Sequence, residues 1–315
     1  MRRRDVLAGL GAGALAASWP LEPLAATQDQ VQRVEAYTRK ALAKFPFKLH
    51  EVAGDKALEK WRQLKAERKG APVVLGVDSA NGSLGNLLSP FGPGSPQLRK
   101  VEQILQAAGT LTFPDDLARE NKEKSAAALA QFKAMLAANP NMPLPQIVIV
   151  DKNGSRRTLN RQETIAEMER EQTDPPLGDW PVTSPKSDGP GLSVALDILT
   201  NKPLPKVYVA VAPTNDWTEI PAYLQWGGWN ACPSAEHHVA ALRLWRDKYG
   251  AELVGISEDT MNLRVARKPK TRDEALALAR DHYVYCRDII DQGVGTYSAL
   301  AAELMANDWW YFWWD

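Results

Sequence analysis

The chain has only two cysteines, Cys232 and Cys286, and four histidines in 315 residues. Neither cysteine belongs to a C-x-x-C pair and no two histidines stand at H-x-x-x-H spacing, so the short-range ligand patterns of structural zinc are missing. Net charge is missing too, with 38 Lys and Arg against 38 Asp and Glu. A chain without a basic surplus has no electrostatic footprint for polyanions, which argues against nucleic acid as a partner. Beyond residue 20 no apolar run approaches the roughly 20 residues that span a bilayer. The glycine-containing stretch Gly76–Gly85 follows a strand-like run but has no Walker lysine and no dinucleotide-type glycine spacing, and reads as a surface loop. No cofactor is expected.

What is present begins with an export signal. Arg2-Arg3-Arg4 precedes Val6-Leu7 and a mildly apolar, glycine- and alanine-rich stretch to Ala17. A basic n-region before a short uncharged segment is the layout of a secretory signal, and Arg3-Arg4 fits the twin-arginine form of it. Pro20 and Glu22 end the segment before it could span a membrane, and Leu24-Ala25-Ala26 offers small residues for cleavage after Ala26. Residues 1–26 therefore read as a cleaved twin-arginine signal. The expected location is periplasmic or secreted, with the translocon as a partner during export and no membrane span afterwards.

Residues 27–172 read as an α/β region. Helices are predicted at 28–44, 55–69, 96–108, 115–138 and 161–172, with buried strands at 72–77 and 146–150 and a turn at Asp151–Gly154. Residues 173–205 carry seven prolines, the composition of a linker or an extended wrap, with a short helix predicted between Leu192 and Leu199.

Residues 206–315 form the most readable part. Val207–Ala212 is a strand. Ser234 can cap a helix with the stripe His238, Leu242, Trp245 and Tyr249, stopped by Gly250. Two strands at 252–257 and 261–268 make a hairpin, and Thr271-Arg272-Asp273-Glu274 is a capping box opening another helix. A short helix at 297–306 leads into the aromatic strand Trp309–Trp314. The fold class is therefore α+β, with a ferredoxin-like split βαβ sheet (β-α-β-β-α-β) in the C-terminal part packed with the α/β N-terminal half. Aromatic residues on both faces of the last strand require a cover on the second face, expected from the N-terminal half.

Three histidines and both cysteines fall between residues 232 and 286. One chemical reading is a thiol-dependent hydrolase, with Cys232 at a helix start, His238 as base, and Asn230 or Asp288 orienting the imidazole. A metal site from Cys232, His238, Cys286 and His282 is the weaker form of that reading, and no metal is assigned. The plainer reading is a Cys232–Cys286 disulfide, which would stabilise by roughly 4 kcal/mol, or a buried thiol, with His238 as a core group. Eight of eleven tryptophans lie from Trp217 onward. Trp229, Asn230, Trp310 and Trp314 are the candidate binding residues of an aromatic surface.

Several strings resemble a bacterial family, domain-of-unknown-function family 4253. They are Pro221-Ala222-Tyr223-Leu224 with Gly227-Gly228-Trp229-Asn230-x-Cys232-Pro233, Trp245-x-x-x-Tyr249-Gly250-Ala251-Glu252-Leu253, Tyr285-Cys286-x-Asp288-Ile289, and Trp310–Asp315. The resemblance covers about residues 207–315, and the helix at 55–69 with the strand at Pro72–Asp78 is similar to a segment that often precedes the domain. It implies no activity or catalytic residue. Where the family has Cys-Pro-Asp this chain reads Cys286-Arg287-Asp288, which leaves open where the preceding helix ends. The expected function is a non-enzymatic binding or interaction module of the cell envelope, with a protein or small molecule as partner. The alternative is the hydrolase using Cys232, His238 and Asp288.

Overall fold

The computed structural model describes residues 36, 40–45, 47–77, 84–92, 98–150, 155–170, 174–183 and 191–314. The export signal, most of the helix expected at 28–44 and the turn at Asp151–Gly154 lie outside them. No helix among the described residues is long and apolar enough to cross a membrane.

The protein is α+β. Its centre is a six-stranded mixed sheet built from β1 (Lys48–Val52), β2 (Ala71–Leu75), β5 (Val207–Ala212), β6 (Ala251–Ile256), β7 (Thr260–Val265) and β8 (Trp309–Trp313), in the order β1-β5-β2-β6-β7-β8. A separate ribbon pairs β3 (Val148–Val150) with β4 (Arg156–Thr158). Val148 and Ile149 are only half-buried there, so the strand expected near 146–150 is not part of the main core.

The ferredoxin-like strand order does not hold. That plan would place the last strand beside the first of the C-terminal part, but both edges of β5 are already occupied. β1 pairs antiparallel on one side (Lys48↔Val211) and β2 antiparallel on the other (Ala71↔Ala212). β2 then runs parallel to β6 (Val74↔Gly255), and β8 is left to pair with the outer edge of β7. All five residues of β2 are buried, as a strand in the middle of a sheet covered on both faces requires.

Alternation along the strands separates two cores. One face carries Val73, Leu75, Ala210, Leu253, Met261, Leu263, Trp310 and Phe312 under α6 (Ala235–Tyr249) and α7 (Arg272–Tyr285). The other carries Val74, Val207, Val209 and Val254 under Trp61 and Leu64 of α1 (Ala57–Glu67) and under Val194, Ala195 and Leu204. The Trp61 indole donates to the Pro72 carbonyl at 2.9 Å, fixing α1 against β2. On the second face of the aromatic strand Trp309 packs against this cluster, to which the proline-rich segment contributes. Over 191–205 that segment is a wrap, with a 3-10 turn at Ser193–Ala195 where the short helix was expected.

The remaining helices are α2 (Val101–Thr110), α3 (Asp115–Ala138), α4 (Arg161–Arg170), α5 (Ile220–Leu224) and α8 (Tyr297–Ala306). The Thr271–Glu274 capping box forms as read, with both reciprocal bonds. Ser234 is the N-cap residue of α6, but its side chain makes no capping bond. α7 ends at Tyr285 without the family's proline, because Cys286 turns extended at φ −148°.

Candidate functional site

The Gly227–Pro233 turn and the first turn of α6 bring Cys232 and His238 together. Gly227 has φ +105°, and a Cβ there would sit 2.1 Å from the Pro233 carbonyl and 2.7 Å from His238 Nε2. Only glycine lets the turn close onto the imidazole. The Gly228 amide donates to Pro233 O at 2.9 Å and the Cys232 amide to Trp229 O at 2.8 Å, so the turn satisfies its own backbone.

His238 is wholly buried, and both its ring nitrogens are occupied. Nδ1 lies 2.5 Å from the Tyr285 hydroxyl and Nε2 lies 3.4 Å from Cys232 Sγ. The Tyr285 hydroxyl also donates to Met261 Sδ at 3.4 Å. One proton assignment satisfies every member: the thiol donates to Nε2, Nδ1–H to the phenol oxygen, and the phenol to the thioether. Trp226 and Trp314 pack on the ring at 4.6 and 5.6 Å between centroids.

Burial decides the charge states. It pushes the His238 imidazole down to about 3 and the Cys232 thiol far up, so both are neutral. The helix-start effect expected to activate Cys232 loses to this desolvation, because α6 begins only at Ala235. A protonated thiol 4% exposed beside an enclosed neutral imidazole lacks both the thiolate and the substrate access of a nucleophilic site. Asp288 does not orient His238, whose nitrogens are taken by Tyr285 and Cys232; it accepts instead from Gln292 Nε2 at 3.1 Å. Asn230 is exposed on the turn at φ +46°.

No bond joins Cys232 and Cys286 in this structure. Both cysteines are free and buried. Cys286 Sγ donates to the Trp313 carbonyl at 2.9 Å, and burial pushes its thiol up as well. Among the described residues no group of three or more His, Cys, Asp or Glu is placed to hold a metal ion.

The tryptophans expected to face a ligand are mostly core. Trp310 and Trp314 are each 2% exposed, and Trp229 is half-buried, edge-on to Trp226 at 5.0 Å. Trp245 stacks on Phe312 at 5.3 Å and meets Trp310 at 5.6 Å, so alternate residues of β8 fill the α6–α7 core.

A different set of residues lines a cavity of about 200 Å³ at the edge of the sheet. Its wall comes from the end of α7 (His282), a π-helical turn at Ile289–Val294, α8 (Leu300, Glu303, Leu304), Asn307 and the aromatic strand β8. β8 is an edge strand, and the bonds Val265 N to Asp308 O and Trp314 N to Asp259 O fix its even-numbered residues as those bonded to β7. The backbone groups of Trp309, Tyr311 and Trp313 therefore point off the sheet.

Three polar atoms of lining residues are buried without a hydrogen-bond partner among the described residues: His282 Nε2, Trp310 Nε1 and Asn307 Oδ1. Their residues are 1%, 2% and 8% exposed. Burial lowers the His282 imidazole to about 3 and raises the Glu303 carboxyl above its ordinary value. Sequence reasoning singled out His282, Asp288 and Trp310 for other roles but missed the cavity. The available signal was Glu303, the one charge in the helix Tyr297–Ala306.

The family model for a domain of unknown function (DUF4253) matches residues 208–315, the region marked by the sequence resemblance. No curated protein and no solved structure matches the chain.

Proposed function

We propose that this chain is an exported, non-catalytic binding protein of the cell envelope, and that it takes a small ligand in the cavity beside its terminal aromatic strand. The observation that carries the reading is that three of the five buried polar atoms without a partner among the described residues belong to residues lining one cavity. Leaving such an atom unsatisfied costs about 1–3 kcal/mol, and folded proteins leave few of them. A wall of aromatic and aliphatic side chains with a few convergent polar groups is the usual make-up of a small-molecule site. The thiol chemistry that could compete with it is enclosed and neutral. Export rests on Arg3-Arg4 and the segment behind them.

Thermal unfolding of the purified protein, with and without a low-molecular-weight extract of the cell envelope, tests the binding. The extract should raise the Tm of the parent chain and leave that of Asn307→Leu unchanged. An extract without effect on the parent, or with equal effect on both, overturns the reading. Export is checked by N-terminal sequencing of the fractionated protein, which should begin at Thr27. The paired change Arg3→Lys and Arg4→Lys should keep the chain uncleaved in the cytoplasm, and normal processing of that variant would refute the twin-arginine route.

A further inference from the structure

We infer that the ligand of this cavity is a small organic ammonium cation with an apolar or aromatic body. The inference rests on the reading of the cavity as the binding site and names the chemistry that the site selects. Two carboxyl side chains line it, Asp288 from the turn after α7 and Glu303 from α8, and no lysine or arginine does among the described residues. Four aromatic residues of β8 also line it, Trp309, Tyr311 and Trp313 from one face of the strand and Trp310 from the other. Carboxylates with aromatic faces are the pairing that recognises ammonium groups, because the ring quadrupole and the carboxylate both attract positive charge.

Of the three unpartnered atoms, Asn307 Oδ1 favours the same class, while Trp310 Nε1 is a donor that an ammonium group leaves unpaired. Asn307 Oδ1 is an acceptor, buried and unpartnered among the described residues, so it calls for a donor from the ligand. An anion would enter between two carboxyl groups and be repelled by both. A neutral ligand would leave the Glu303 carboxyl as desolvated as it is now, whereas an ammonium group would offset the burial that holds it above its ordinary value. The body of the ligand meets Ile289, Val294, Leu300 and Leu304.

The test uses three probes of one shape: phenethylammonium, 2-phenylethanol and phenylacetate. Each is titrated into the isotope-labelled full mature chain, with the Trp310 indole N–H resonance as the local readout. Phenethylammonium should shift that resonance in a saturable way, with 2-phenylethanol at least tenfold weaker and phenylacetate without effect. Glu303→Gln should weaken phenethylammonium at least tenfold and leave 2-phenylethanol unchanged, which separates lost charge from lost fold. If the alcohol or the anion binds as tightly as the amine, or Glu303→Gln changes nothing, the cationic class is wrong while the cavity stands as a site. If none of the three shifts Trp310, both the class and the cavity reading fall.

Discussion

His238 and His282 are two imidazoles with almost no exposed surface, and they make the fold sensitive to acid. In the folded chain burial holds both down near 3, against an ordinary value of 6.5. A group whose folded pKa lies below its unfolded value binds more protons when unfolded, so stability is lost as pH falls through the unfolded value. Their contribution is complete only well above pH 6.5, is already falling as pH passes through 6.5, and declines onward toward pH 3. Each should remove up to about 1.4 kcal/mol per pH unit. Glu303 and Asp281, raised by burial, act in the opposite sense and slow the loss at the acid end. Urea midpoints at pH 7.5, 6.5 and 5.5 should fall in that order; a midpoint that holds or rises between the last two contradicts the assignment. At this scale the stripe His238-Leu242-Trp245-Tyr249 was legible because helical spacing alone puts those residues on one face. The sequence left open whether Cys232 meets His238 or bonds Cys286, since that depends on how the Gly227–Pro233 turn folds back onto α6.

Elements were read well where local signals agree and poorly where the partner is distant. α3 and α8 coincide with the helices expected at 115–138 and 297–306. The 191–205 wrap shows what local reading misses: it is held by side chains about 70 residues away. Asn262, fully buried on β7, accepts from the Val194 amide at 3.0 Å and donates to Ser193 Oγ at 2.9 Å. Gly255 on β6 leaves room for the same valine, because a Cβ there would stand 2.5 Å from Val194 Cγ2. Asn262→Ala should leave the Val194 N–H buried without a partner and cost about 1–3 kcal/mol. Hydrogen exchange should show faster exchange confined first to residues 191–205. A variant as stable as its parent, with that segment still protected, would show that the wrap is held by apolar packing alone.

The whole molecule is less divisible than its composition suggests. Residues 208–315 match a family by themselves, yet their sheet is completed by β2, which separates β5 from β6. Removing β2 would expose both neighbours and withdraw Val73, Val74 and Leu75, each worth about 1.5–3 kcal/mol on burial. That sum rivals the total stability of an ordinary domain, about 5–15 kcal/mol. A fragment spanning residues 206–315 should therefore fail to give a cooperative unfolding transition, while one beginning at residue 40 should unfold cooperatively. A folded 206–315 fragment would mean that β5 and β6 can pair directly.

The amino-acid sequence by itself determined most of the helices, the strands other than β1 and β4, the α+β class and the balance of charge. Those follow from periodicity, capping and composition, which act over a few residues or over the whole chain regardless of shape. Tertiary structure decided the strand order, since β1 and β2 occupy both edges of β5 and send β8 to the far side of β7. It also decided the fate of the two cysteines, one against an imidazole and one against a strand carbonyl. The cavity belongs to the same level. Its walls come from segments whose only relation is their packing around one sheet edge, and no local pattern encodes that edge.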